Sequence, residues 1–254
     1  MKPLRVTILH GGCYPVPPLL GGAVEKIWFA LAREFARSGN HVTQISRLYA
    51  DLPARQTFDG VQHWRLPGYD RPKSFSELVL RELLFSFRAI RILPSADLIV
   101  THSITAPLLI RKSRFGLLYV HVARYPKGQM QFYQHAAALQ AVSCVVGDTI
   151  ISQCPSLKSK VEVIPNPHCQ DSLIRPVEWR QRTNTILFTG RIHPEKGVHV
   201  LVKAYLLLPK ELQNSWSLKI VGPWEYSQGG GGPLYLRELE DLSREATGTI
   251  SFPG

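Results

Sequence analysis

No apolar run in this sequence approaches the roughly 20 residues that a membrane-spanning helix needs, although 44% of its 254 residues are hydrophobic. The start, Met1-Lys2-Pro3-Leu4-Arg5, runs directly into a strand, so a signal peptide is not expected. Cysteine is scarce. Cys13, Cys144, Cys154 and Cys169 show no paired-ligand spacing and no secretory context, which predicts reduced thiols in a cytoplasmic protein. Gly-x-Gly-x-x-Gly and Gly-x-x-x-x-Gly-Lys are both missing, so the dinucleotide and Walker-type readings lack their fingerprints. Carboxylates and histidines nowhere cluster with metal-ligand spacing, and neither a metal nor a bound cofactor is expected. At 19% charged residues, the composition also lacks the bias of a disordered chain.

What the chain does carry is positive charge, unevenly placed. The formal net charge is +11, with +9 in residues 1–179 and +2 in residues 180–254. A basic first part suits an anionic partner such as a phosphorylated substrate or an acidic lipid surface. Nucleic acid is not expected as the partner, because no binding motif accompanies the charge. An inert basic surface is the bland alternative.

Apolar runs alternate with helical spacing along the whole length. Leu4–Leu9 reads as a strand, and a Gly/Pro-rich loop leads to a helix over Ala23–Arg37, closed by Ser38-Gly39. His41–Ser46 is the second strand. Further strands are expected at Val61–Leu66, Asp97–Thr101, Leu117–His121, Ala141–Val146 and Val161–Ile164, with a long apolar helix over Ser74–Leu93. Strands alternating with helices imply an α/β fold with a parallel sheet covered on both faces. Pro165-Asn166-Pro167 then breaks the pattern. A polar stretch leads to a second set of strands at Thr185–Thr189, Ser217–Val221 and Thr249–Phe252. These divide the chain into domains 1–175 and 176–254.

The most informative stretch is Gly190-Arg191-Ile192-His193-Pro194-Glu195-Lys196-Gly197, between a buried strand and an apolar helix. Pro194 and Glu195 suit the first turn of that helix. Arg191 and Lys196 are thereby delivered to a loop at the carboxyl end of a strand, where open α/β sheets bind ligands. Two cations beside a helix N-terminus make a phosphate site, or else a solvated pair in a tight connection. Gly21 and Gly22 could bring backbone N–H groups close to a phosphate in the same manner. His121 ends a strand, either facing a ligand or satisfied by backbone in a tight turn. His102, Arg124 and Lys127 are candidates for an acceptor side, against a structural role for the histidine and solvation for the two cations.

In combination these segments resemble the family-4 retaining glycosyltransferases. The resemblance rests on Tyr14-Pro15 with Gly21-Gly22-Ala23-Val24-Glu25, Val163-Ile164-Pro165-Asn166, Gly190-Arg191 with Pro194-Glu195-Lys196-Gly197, and Ile220-Val221-Gly222. It covers nearly the whole chain and implies two Rossmann-like domains of GT-B type. By the resemblance, Arg191 and Lys196 neutralise the diphosphate of a nucleotide-sugar donor, with Gly21 and Gly22 adding N–H donors. His121 contacts the transferred sugar, and Gly222 and Pro223 form a donor-side loop. The co-substrate is a nucleotide-diphosphate sugar, and the acceptor is a saccharide or lipid-linked hydroxyl. The family's Glu-x7-Glu segment has no counterpart before Gly254, so the second domain is expected to be incomplete and transfer by this chain alone impaired. The alternative is a non-catalytic anion- or partner-binding protein derived from such an enzyme. The apolar, arginine-bearing stretch 74–93 offers peripheral contact with the inner face of a membrane, or simple burial against the sheet.

Overall fold

The computed structural model describes residues 2–72, 74–111, 113–168 and 178–253. They fall into two compact units, Met1–Asp171 and Ser172–Gly254. The boundary drawn at 175/176, Cys169 and part of the polar linker lie outside the described residues.

In the first unit, β1 (Arg5–Leu9), α1 (Ala23–Arg37) and β2 (His41–Leu48) form a β-α-β unit. It is followed by the hairpin β3 (Arg55–Phe58) and β4 (Val61–Pro67), and by α2 (Phe75–Ile92). Then come β5 (Leu98–Thr101), α3 (Ala106–Leu109), β6 (Leu117–Val122), β7 (Ala138–Ala141), α4 (Cys144–Gln153) and β8 (Val161–Val163). The sheet order is β3-β4-β2-β1-β5-β6-β7-β8, parallel throughout except for β3. Two apolar layers sandwich it. Trp28 and Ala32 of α1 pack on Val6, Ile8, Val42, Val61 and Val100. On the opposite face Phe85 and Ala89 of α2, with Val146 and Ile150 of α4, pack on Leu9, Ile45, Ile99 and Leu139. Both faces are thus covered, as β-α-β crossovers require.

Two sequence expectations change here. The strand expected over Ala141–Val146 is instead the end of β7 followed by the first turn of α4. Ser143 is extended, and its hydroxyl accepts the Val146 N–H, so it caps the helix. The cap and burial of Val146 override the strand preference of a β-branched run. The hairpin β3–β4 adds an antiparallel edge that the sequence reading did not include. Its turn is Asp59-Gly60, with φ 49° and 77°, the left-handed pair that a two-residue hairpin loop demands.

The second unit is a parallel three-stranded sheet in the order β11-β10-β9. Its elements are β9 (Thr185–Thr189), α5 (Val198–Leu206), α6 (Lys210–Ser215), β10 (Ser217–Val221), α7 (Gly232–Ser243) and β11 (Ile250–Ser251). Val198, Val202 and Tyr205 of α5 and Tyr235 and Leu239 of α7 close over Leu218 and Ile220. The helix expected to start at Pro194 starts later. Pro194–Lys196 is a single 3-10 turn, and Gly197 at φ 68° breaks it from α5. A left-handed residue cannot continue a helix, and glycine adopts it without strain.

Candidate functional site

Both units carry candidate residues at the carboxyl ends of parallel strands. In the second unit, the connections after β9 and β10 are zipped together by backbone. Gly190 N–H donates to the Val221 carbonyl at 3.0 Å, Ile192 N–H to Pro223 at 2.9 Å, and Gly231 N–H to Ile192 at 2.8 Å. Gly222 lies so close to the Gly190 carbonyl oxygen that any Cβ would collide with it, at a φ of 147° that favours glycine. Gly222 and Pro223 therefore hold the two loops together by backbone contact.

Arg191 is set on this double loop. Its Nη1 donates to the Gly229 carbonyl at 2.6 Å, and its Nη2 pairs with Glu195 Oε1 at 2.6 Å. The guanidinium of Arg191 is thus partnered rather than solvated on all sides. The 3-10 turn carries Glu195 under the guanidinium four residues back, and His193 Nδ1 accepts the Glu195 N–H at 3.2 Å to stabilise that turn. Burial acts against ionisation of Glu195, but the charge and hydrogen bond of Arg191 outweigh it and hold the carboxyl below its ordinary range. The pair is an exposed one, with side-chain exposures of 33% and 56%, and such pairs are weak and exchangeable. Lys196 is exposed, and its ammonium has no hydrogen-bond or ion-pair partner among the described residues.

In the first unit, His121 of β6 is 2% exposed. Trp28 donates its indole N–H to His121 Nδ1 at 2.9 Å, and Nε2 lies 3.1 Å from Asn166 Oδ1. An acceptor at Nδ1 assigns the proton to Nε2, which donates to Asn166. Burial, then the nearby His102, lower the pKa to about 4, against the opposing Asn166 bond. The ring is neutral near pH 7, and side chains of α1 and of the turn after β8, rather than the backbone of a tight turn, satisfy it. His102 Nε2 lies 3.3 Å from Nδ1 of His10, a buried imidazole that the sequence reading did not single out. Burial lowers the pKa of His102 to about 4 as well.

Gly21 and Gly22 take φ of 78° and 92°, and Gly22 precedes α1 without a side-chain cap. Gly21 N–H is donated to the Pro18 carbonyl at 3.0 Å, so of the two expected donors it is already engaged. Glu25 folds its buried carboxylate back to its own N–H, next to Gly22. Burial raises its pKa, with its own backbone bond and the charge of Arg124 opposing. Arg124 is exposed, and its charge acts on both Glu25 and His102. Lys127 sits with its ammonium 5.2 Å from the centroid of the Phe75 ring. Sequence reasoning missed Glu82, a buried acid amid the apolar residues of α2 that binds Gly12, Tyr69 and Ser103. Its one signal in the sequence is an acid on the apolar stripe.

The described residues contain no cluster of three or more His, Cys, Asp or Glu side chains able to hold a metal ion. No helix among them is long and apolar enough to cross a membrane. On α2, Leu80, Leu84 and Phe87 are 57%, 51% and 50% exposed, so the long helix is buried along one stripe only.

Comparison with known proteins places these rims in context. Residues 170–249 match the family Glycosyl transferases group 1. YtcC of Bacillus subtilis, named as a glycosyltransferase, is 27% identical over 215 residues, covering 74% of this chain and 49% of that protein. The lipopolysaccharide 1,2-N-acetylglucosaminetransferase of Salmonella typhimurium is 28% identical over 93 residues, 34% of this chain and 24% of that one. The chain thus spans about half the length of YtcC and less of the second relative. Among solved structures, sucrose-phosphate synthase from Thermosynechococcus elongatus aligns with a TM-score of 0.70 at 16% identity, over 99% of this chain and 70% of that one. A trehalose-6-phosphate structure from E. coli, bound with UDP-2-fluoro glucose, aligns at 0.67 and 10% identity, over 98% and 73%. The α/β fold with its mostly parallel sheet is the one found in these GT-B neighbours.

Proposed function

We infer that this chain, whose second unit carries a Glycosyl transferases group 1 domain, serves the retaining transfer of a sugar from a nucleotide-diphosphate sugar to a hydroxyl acceptor. The observation that carries this reading is the loop after β9, where Lys196 stands exposed and Arg191 is held on a weak, exposed partner. As the sugar–oxygen bond breaks, the departing nucleotide gains negative charge. Cations fixed near that oxygen stabilise the transition state more than the bound donor. Arginine has five N–H donors, and two are engaged here. A diphosphate can therefore take the place of Glu195 while Gly229 continues to orient the guanidinium. Arg191 and Lys196 supply the charge that a divalent ion would otherwise bring, and metal independence belongs to the proposal. The UDP-sugar in one structural neighbour supports the donor class.

In the first unit, neutral His121 is proposed to hold a hydroxyl of the transferred sugar through the proton it gives to Asn166. Gly22 is proposed to add a backbone donor, with Gly21 in support. His102, Arg124 and Lys127 are proposed for the acceptor side. The acceptor is a saccharide or lipid-linked hydroxyl, and the protein is proposed to act in the cytoplasm. A second reading concerns location. Leu80, Leu84 and Phe87 share their exposed stripe with Arg81, Arg88 and Arg91, and an apolar stripe edged by cations fits the inner face of an anionic membrane. The non-catalytic alternative gains no support from relatives named as transferases.

Incubation with UDP-, GDP- and ADP-sugars, with and without EDTA, tests the reading through release of nucleoside diphosphate. Release that survives EDTA and drops at least tenfold in Arg191→Ala agrees with it. No release from any donor, or release that needs a divalent ion, contradicts it. Retention on anionic but not neutral liposomes, lost in Leu84→Asp/Phe87→Asp, tests the membrane stripe.

A further inference from the structure

An acidic side chain inside a packed helix face is costly to bury unless donors surround it. Glu82 lies on the buried side of α2 with Phe85, Ser86 and Ala89, and is 7% exposed. Donors from three separate connections converge on its carboxylate. Gly12, in the connection after β1, gives its backbone N–H to Oε2 at 3.1 Å. Tyr69, after β4, gives its phenolic hydrogen to the same oxygen. Ser103, after β5, gives its hydroxyl to Oε1 at 2.6 Å. All three connections leave the carboxyl ends of parallel strands, the rim on which open α/β sheets bind ligands.

The tie is reinforced from every side. Tyr69 N–H returns a bond to the Gly12 carbonyl at 3.0 Å. Arg47 of β2 donates from Nη1 to the carbonyls of Cys13 and Tyr69, both at 2.9 Å. Ser103 Oγ in turn accepts the N–H groups of Thr105 and Ala106, at 3.3 and 3.2 Å, where α3 begins. Gly12 has no room for a side chain, since a Cβ would stand 2.6 Å from Phe85 Cγ and 2.7 Å from Tyr69 Cε1. The anchors are close in sequence to imidazoles that touch each other: Gly12 follows His10 by two residues, and Ser103 follows His102 directly.

We propose that Glu82 is a positioning residue: by joining the connections after β1, β4 and β5 it fixes the geometry of the first unit's own rim, where His10 and His102 meet. The catalytic half of this proposal rests on the glycosyl-transfer reading. The tie between connections does not. Glu82→Gln puts an amide NH₂ where one of the donors now points, and Tyr69→Phe and Ser103→Ala each remove one donor.

The test combines amide hydrogen exchange with donor kinetics on the full chain, using Glu77→Gln on the exposed side of α2 as control. In Glu82→Gln, exchange is expected to quicken at least tenfold at Gly12 and at Thr105–Ala106 together. Tyr69→Phe and Ser103→Ala should show the same joint response at several-fold, and Glu77→Gln none. In the kinetics, kcat is expected to fall tenfold or more with KM for the donor within twofold, because the second unit's cations are untouched. Quickening confined to the substituted contact overturns the tie, and should Glu82→Gln not fold, the two milder variants decide it by the same criterion. Wild-type turnover with unchanged kcat in Glu82→Gln overturns the positioning role. A wild type without turnover contradicts the transfer reading instead, and exchange then decides the tie alone.

Discussion

Acidification should unfold the first unit through its buried imidazoles. His63 and His121 are 1% and 2% exposed, and burial, as the largest cause in each, lowers both from 6.5 to about 4. The unfolded chain takes up these protons near pH 6.5, while the folded chain refuses them until about pH 4. Stability is therefore full above the unfolded pKa and falls as pH drops through this window. At 1.36 kcal/mol per pKa unit, each imidazole contributes a loss of about 3 kcal/mol by pH 4. With His102, which burial also lowers to about 4, three such imidazoles together match the whole stability of an ordinary domain, roughly 5–15 kcal/mol. Asp97, held at about 2 chiefly by its hydrogen bond to Arg5, titrates below the window. Urea denaturation followed by tryptophan fluorescence, at steps from about pH 7.5 down to 4.5, reads the effect through Trp28, which donates to His121. Because His102 is lowered to about 4 as well, the slope should approach about 4 kcal/mol per pH unit and lose about a third in His63→Phe. Constant stability across the window, or a slope that His63→Phe leaves intact, would refute the reasoning.

Two further substitutions test local features. Gly222→Ala meets the Gly190 carbonyl and a backbone angle that disfavours side chains, and should destabilise the second unit by at least about 2 kcal/mol, read as a lower melting temperature. Ser143→Ala removes the cap of α4 and should cost about 1 kcal/mol in the first unit, with urea midpoints as the check.

Much of the fold was legible because each strand is short, apolar and flanked by its helix. The spacing placed α1 at Ala23–Arg37, as the structure does. What sequence could not show was context. The run Val142–Val146 is β-branched enough for a strand, yet the Ser143 cap and the underside of the sheet make it helical. The Asp59-Gly60 turn was a readable hairpin signal, but β3 itself, Arg55–Phe58, is exposed and polar, with no apolar alternation to announce it. At the candidate site, the residue types near Gly190 were legible, whereas the Arg191–Glu195 pair was not, since it depends on where a 3-10 turn points one carboxylate. His121 stood out as a strand-end histidine. Its partners, Trp28 and Asn166, lie 93 and 45 residues away in the chain. Glu82 was hidden for the same reason: its three donors come from connections that meet only when the sheet has formed.

Calorimetric titration of UDP, GDP and ADP into the wild type and into Arg191→Ala/Lys196→Ala tests the phosphate site most directly. One of the three should bind the wild type, and the double variant should bind it at least a hundredfold more weakly, about 3 kcal/mol, as befits two lost charge-assisted contacts. Equal affinity in both proteins, or no binding to either, would contradict the assignment of Arg191 and Lys196 to a departing diphosphate.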